Sequence, residues 1–570
     1  MKDPNDGELG RAVRSDRSAK AGSAAVIHEE VVAAIVEGAW RSKPARGDSA
    51  ALAVALPGPG VAFVVARSQG KAVAKVCEED SSIPTALERG VRSLRALVGA
   101  EQAVDTLEVV LGYDFEQPGA DEVKARLSNL HRGLRGLEIS RGGVIERHSP
   151  TEMLATNRGF LKLLERFVQR HGPGAVRVRT FDAVQVLVPL TGYGAPRRLF
   201  RGAELVSIES ITRDRVEALA DLHASWLFNN LQANGRMVYK YWPSSGKESS
   251  ANNMIRQWMA TVALGRVARR RGDAGLIDRV ESNILYNLRE FYTEDGNLGC
   301  IVEAGEKVKL GAVALACLAL VEHPRRERFA KEEQALRRTV DFLWQPDGSF
   351  VTFLRPAGRN DNQNFYPGEA LLLWASLAAE GDDPALRDRF MTSFRYYRAW
   401  HLENRNPAFI PWHTQAYRRM WSVRGDAELA EFVFVMNDWL IDIQQWDGQR
   451  RFPDTRGRFY DPKRPFGPPH SSSTGVYLEG LIDAWRLARA LGEGERQERY
   501  RRAIVRGIRS VTQLTFKDAV DMFYVTQRDK VRGGVRTTVY DNEVRVDNVQ
   551  HNLMALLEIL DEFPASDFRP

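Results

Sequence analysis

The chain has 570 residues, 44% of them hydrophobic and 27% charged, with a formal net charge of +6. That length exceeds one ordinary domain, so two or more are expected in a globular protein. The 80 basic and 74 acidic residues form no basic block interleaved with aromatics, which argues against nucleic acid as a partner and leaves anionic sugars or phosphates open.

Three cysteines, Cys77, Cys300 and Cys317, cannot build a disulfide framework and lack zinc-ligand spacing. The first 25 residues lack the apolar core of a signal peptide, and no later run is long enough to span a membrane, so a cytoplasmic location without membrane insertion is expected. Residues 1–22 read as a disordered tail, rich in Gly, Ser, Lys, Asp and Arg without apolar period.

Residues 23–210 read as a mixed α+β domain of unassigned role. Strand-like runs lie at Ala51–Leu56, Val61–Ala66, Ala72–Val76, Leu107–Leu111, Gly136–Ile139 and Val176–Leu187, with turn signals at Pro57-Gly58-Pro59-Gly60 and Ser68-Gln69-Gly70. Helical pattern covers 83–98 and 150–171, the second opened by Ser149 as N-cap and Pro150 in the first turn. The order of these elements resembles the AMMECR1 family. The strand that would carry its Arg-Gly-Cys-Ile-Gly signature reads Lys71-Ala72-Val73-Ala74-Lys75-Val76-Cys77 instead.

From about 211 to 570 the period becomes helical and a design repeats. Six times a loop with Gly and aromatics runs into an apolar helix: Trp242–Gln257, Glu303–Gly311, Asp361–Glu369, Pro407–Gln415, His470–Glu479 and Arg545–His551. More amphipathic helices precede them, at 214–233, 275–292, 329–344, 384–402, 427–445 and 495–514. Gly-Asp pairs at 272–273, 381–382 and 425–426 mark helix ends, with Gly in a left-handed cap and Asp opening the next element. The openings are roughly 45 to 75 residues apart, too irregular for a short-period solenoid. Six alternating pairs predict a closed ring of helical hairpins whose polar openings converge at one end.

The pattern, with Phe365-Tyr366-Pro367-Gly368-Glu369-Ala370 and Arg545-Val546-Asp547-Asn548-Val549-Gln550-His551 as its clearest pieces, resembles the (α/α)6-barrel superfamily of carbohydrate-active proteins. That group includes six-hairpin glycosidases, N-acylglucosamine 2-epimerase-like enzymes and the C-terminal domain of glucuronyl C5-epimerases. The resemblance implies an α+β N-terminal domain followed by an all-α (α/α)6 toroid that acts on a sugar or oligosaccharide. It also implies a catalytic histidine pair on the eighth and twelfth helices, where His413 and His551 stand.

The residues offer their own chemistry. Two imidazoles flanking a sugar can take a proton from one face and return one to the other. Glu369, one or two residues inside a helix, is either a cleft acid/base or a cap on its own helix. Glu479 is the second carboxylate that a glycosidase would need beside it. Tyr477 shares its hydroxyl-rich opening.

Asn253, Arg256, Tyr241 and Trp242 cluster at the first opening, where Arg256 can clamp an anionic group and aromatics can stack on sugar faces. Tyr366 and Trp412 offer the same, and Arg545 with Asp547 forms either an ion pair or a substrate contact. No metal or cofactor is called for, since no ligand triad stands out. The expected activity is epimerisation or isomerisation; hydrolysis and non-catalytic glycan or peptide binding are the alternatives.

Overall fold

Leu52 is fully buried and Leu56 4% exposed, while Val54 between them is 79% exposed. Positions 52, 54 and 56 of a strand would share a face; four-residue spacing with the middle position outside is helical. Residues 51–55 accordingly close a helix, and the expected strand at Ala51–Leu56 is corrected. The computed structural model describes residues 28–42, 46–99, 102–119, 122–190 and 194–569. The expected tail at 1–22 lies outside them.

The N-terminal region holds helices α1 (Glu29–Trp40), α2 (Arg46–Ala55), α3 (Ile83–Val98), α4 (Val123–Arg126), α5 (Pro150–Ala155) and α6 (Phe160–His171). Its strands are β1 (Gly60–Ser68), β2 (Lys71–Asp80), β3 (Thr106–Glu116), β4 (Gly136–Arg141), β5 (Val144–His148), β6 (Arg177–Pro189) and β7 (Arg197–Leu199). They form one antiparallel sheet in the order β2-β1-β3-β6-β4-β5, with β7 beside β6. Period-two alternation sends Ala62, Val64 and Ala66 of β1 into a core with α1 to α3, and Val61 and Phe63 onto Phe181 and Val110 behind. The helix expected over 150–171 is broken: Asn157 takes φ +52° and Gly159 follows before α6 begins.

The remainder is mostly helical. Helices α7 (Arg213–Asn229), α9 (Ala274–Phe291), α11 (Ala330–Leu343), α13 (Pro384–Glu403), α15 (Ala427–Ile441) and α17 (Gly494–Leu514) alternate with α8 (Met254–Arg271), α10 (Leu310–Val321), α12 (Tyr366–Glu380), α14 (Ile410–Arg424), α16 (Ser471–Ala490) and α18 (Val546–Glu562). The second set packs in sequence, α8 on α10, then α12, α14, α16 and α18, and α18 returns to α8. Composition explains which helices lie inside. Every residue of α10, Leu-Gly-Ala-Val-Ala-Leu-Ala-Cys-Leu-Ala-Leu-Val, is buried, whereas α17 buries one stripe that includes Tyr500, Ile504, Ile508 and Val511.

Caps set the ends. Asp273 accepts the Leu276 N–H at 3.1 Å after Gly272 turns left-handed, and Gly425 does likewise at the end of α14. The expected pair at 381–382 differs: Gly381 is not left-handed, and Asp383 caps α13.

Two small sheets brace the loop ends. One joins β10 (Tyr292–Asp295), β11 (Leu298–Glu303), β12 (Lys307–Lys309) and β13 (Phe353–Arg355). The other runs β14 (Arg536–Thr538), β15 (Asp541–Arg545), β8 (Lys240–Trp242), β9 (Lys247–Glu248).

The N-terminal region stands on the segments leading into α16 and α18. Arg201 and Asp454, 1% and 2% exposed, pair at 2.6 Å, and Arg201 also donates to the Leu130 and Arg132 carbonyls. Asn157 donates to Asp541 at 3.0 Å, and Asn542 donates to the Leu154 carbonyl at 2.8 Å.

Candidate active site

The six inner helices are linked around the ring, most of them through their N-terminal turns. Glu303, at the end of β11, accepts the Met254 N–H of α8 at 3.0 Å and pairs with Lys309 before α10. Glu369 of α12 lies against Gly311 of α10, so closely that a Cβ there would meet Oε2 at 1.9 Å. Gly368 meets α14, where a Cβ would stand 2.6 Å from Trp412 Cβ. Pro411 of α14 abuts Gly480 of α16. Glu479 Oε1 is 2.8 Å from His551 Nδ1 of α18. Asp547 of α18 pairs with Arg256 of α8 at 3.0 Å, which completes the circuit. The six openings share one end of the ring.

Three further polar groupings are built there. Asp547 is 2% exposed and holds Arg545 in a two-pronged bond, 3.0 Å to Nε and 2.8 Å to Nη2, besides Arg256. Burial alone would raise its carboxyl; Arg256 and Arg545 hold it at about 2. Arg256 also donates to the Tyr239 hydroxyl, and its side chain is 34% exposed, so this cluster is reachable from solvent. Arg545 reaches Ser472 at 3.4 Å.

The second grouping is His551 with Glu479. Glu479 is fully buried, and its Oε2 finds no hydrogen-bond partner among the described residues. The bond to Nδ1 makes that nitrogen the donor, and the Gln550 amide nitrogen stands 3.5 Å from Nε2. The Trp412 ring meets His551 edge-on at 5.9 Å.

Glu369 stands by itself. It is 2% exposed, and its side chain makes no hydrogen bond among the described residues, so it does not cap α12. Burial pushes its carboxyl up to about 8, against a weaker pull from Lys309, and it therefore carries a proton at neutral pH. Burial and the nearby Glu369 also raise the hydroxyl of Tyr366.

The other expected site residues fall differently. His413 is fully buried, donates to the Phe409 carbonyl at 2.8 Å, and is enclosed by the rings of Phe409, Tyr397 and Tyr417. Burial lowers it to about 3. It is a neutral core imidazole between α12, α13 and α14, in contrast to the open acid/base group expected from its opening. Tyr477 packs edge-on against Phe459 at 5.4 Å. Tyr241 and Trp242 are part of β8 in the second small sheet; Tyr241 bonds Gln527 at 3.1 Å and Trp242 bonds Glu543 of β15 at 3.0 Å. Asn253 caps α8 through the Arg256 N–H at 3.2 Å.

Glu303 and Lys309 were not singled out from sequence. The one signal available was an acidic residue and a lysine flanking the turn at 304–306, just before an apolar helix. No group of three or more His, Cys, Asp or Glu among the described residues has the arrangement to hold a metal ion.

No family model matches the chain, and no curated protein matches it. Solved structures do. A sugar epimerase from a ruminal bacterium has 12% identity and a TM-score of 0.47, over 62% of this chain and 99% of that one. A D-mannose isomerase has 12% identity and a TM-score of 0.47, over 63% and 99%. The α-1,6-mannanase of Salegentibacter sp. HEL1_6 has 11% identity and a TM-score of 0.43, over 60% and 98%.

Proposed function

We propose that residues 211–570 form an (α/α)6-barrel domain that epimerises or isomerises a sugar by proton transfer, with residues 23–210 as a separate α+β domain seated on its loops. The observation that carries this reading is the bond between His551 Nδ1 and the buried Glu479 at 2.8 Å. A carboxylate on one ring nitrogen fixes the tautomer and leaves the other as the base.

In the reaction, His551 Nε2 removes the proton from the carbon beside an open-chain sugar's carbonyl, leaving an enolate. Return of a proton to the opposite face inverts that carbon; return to the former carbonyl carbon, with the hydroxyl proton of the first carbon passing to the enolate oxygen, gives the isomer. Glu369, protonated at neutral pH, is the acid on the α12 side of Trp412. The partly exposed polar groups Arg256 and Ser472 supply hydrogen bonds that sugar hydroxyls need. Arg256 also suits an anionic sugar.

One observation favours a second reading. A protonated, buried carboxyl such as Glu369 is what a glycosidase uses to protonate a leaving oxygen. Against it, Glu479 is engaged by His551 and is not free to act as the partner carboxylate.

Incubation of the full-length protein with a panel of neutral and uronic-acid sugars in deuterated water separates the readings. Deuterium at a sugar carbon without bond cleavage is the expected result. New reducing ends would establish hydrolysis instead, and saturable binding with neither product would establish a non-catalytic barrel.

A further inference from the structure

The N-terminal region holds an open groove of about 390 Å³ between β2, β5, α5 and α6. A volume of that order accommodates a small organic ligand. Leu163, Arg166 and Arg170 project into it from one face of α6, where spacings of three and four residues align side chains. Lys75 enters from β2, Arg147 and His148 from β5, and Arg158 from the corner between α5 and α6.

Five of these side chains are permanent cations, against two lining carboxylates, Glu146 and Glu152. Both carboxylates are already engaged. Glu146 bonds Arg170 at 2.6 Å and His171 at 2.8 Å, and Glu152 lies 3.5 Å from Lys75. Arg147 is spent on Glu138 and Glu79, each at 2.7 Å. Arg158 and Arg166 have no carboxylate in ion-pair contact among the described residues. His148 has both ring nitrogens buried without a hydrogen-bond partner, the nearest carboxylate oxygens of Glu146 and Glu152 each standing 3.6 Å away.

The corner that presents Arg158 is fixed. Asn157, in left-handed conformation, is anchored to Asp541, and the Arg158 N–H donates to the Met153 carbonyl at 2.9 Å. Two guanidinium groups facing one groove repel each other; Arg158 loses affinity for its proton through burial and through Arg166 and Arg170. Like charges gathered at a preorganised site without a matching anion are stabilised by one that binds between them. Guanidinium forks match the several oxygens of a tetrahedral, multiply charged anion better than a single carboxylate.

We infer that this groove binds a small phosphorylated ligand, with Arg158 and Arg166 as the phosphate-contacting groups. The inference is independent of the chemistry proposed at the ring end.

Inorganic pyrophosphate is the probe. Isothermal titration of the full-length protein at low salt is expected to show one saturable site, weakened at least about tenfold in Arg158→Gln/Arg166→Gln, the effect of losing charge-assisted forks. Lys162→Gln removes a charge from the same helix without touching the groove, and is expected to leave the affinity within about twofold, as a screened exposed charge should. Thermal melts of all three proteins confirm folding. Absence of saturable pyrophosphate binding by the wild-type protein would overturn the inference. So would an equal loss in Lys162→Gln, or unaltered affinity in the folded double variant.

Discussion

Glu369→Gln is expected to make the protein more stable and less active. A carboxyl raised from 4.5 to about 8 binds a proton in the folded state over a range in which the unfolded chain has released its own. Stability that is fully present below pH 4.5 is therefore lost as pH rises to about 8. At 1.36 kcal/mol per pH unit the whole interval corresponds to roughly 5 kcal/mol, and at pH 7.5 to about 4 kcal/mol. Gln keeps the shape and cannot ionise, so the variant escapes this loss. Allowing for relaxation around the site, it should gain on the order of 2–4 kcal/mol at pH 7.5 and under about 1 kcal/mol at pH 5. For a helical region of this size that is a few degrees in Tm. Thermal melts of both proteins from pH 5 to 8.5 provide the assay, with the difference widening as pH rises. A variant melting below wild type at pH 8, or a difference independent of pH, would show that burial does not hold Glu369 protonated.

Three further outcomes follow from the contacts. Gly311→Ala places a methyl carbon against Glu369 Oε2 and Tyr366, where a Cβ would lie 1.9 and 2.8 Å away; it should cost about 1–3 kcal/mol by overpacking and reduce turnover, read by melts and the exchange assay together. Arg201→Ala strands the buried Asp454 carboxylate and should cost about 3–5 kcal/mol, read by chemical denaturation; a loss below 1 kcal/mol would show that the pair contributes little to seating the N-terminal region. His413→Asn should lower stability by about 1–3 kcal/mol through its lost core contacts while leaving turnover within about threefold, and a hundredfold loss of turnover in a folded variant would restore His413 as an acid/base group.

Much of the helical region was legible because its signals are redundant. The uninterrupted apolar run of α10 and the charged stripe of α17 each declare which side of a ring they occupy. Side-chain direction was not legible. Trp412 and His413 are neighbours about 100° apart on α14, and one opening with two large rings does not reveal its phase. The structure turns Trp412 toward His551 and His413 toward Tyr397. Glu369 shows the same limit. Its place near a helix start suits a cap or an acid equally, and only the packing around it, Gly311 of α10 from 58 residues earlier included, buries it and raises its carboxyl. Among strands, Val61–Ala66 and Leu107–Leu111 were readable from β-branched content, whereas Ala51–Leu56 combined alternation with helix-forming Ala and Leu, and burial at four-residue spacing decided for helix.

His551, oriented by Glu479, is proposed to move a proton at a sugar carbon. The most direct measurement is the rate of deuterium incorporation into a turned-over sugar, for wild type and His551→Asn under the same conditions. Asn retains a hydrogen-bonding group of similar reach but exchanges no proton near neutral pH. The expected result is a loss on the order of 100-fold or more in a variant that melts normally and still binds the sugar. Exchange at the wild-type rate in His551→Asn would contradict it.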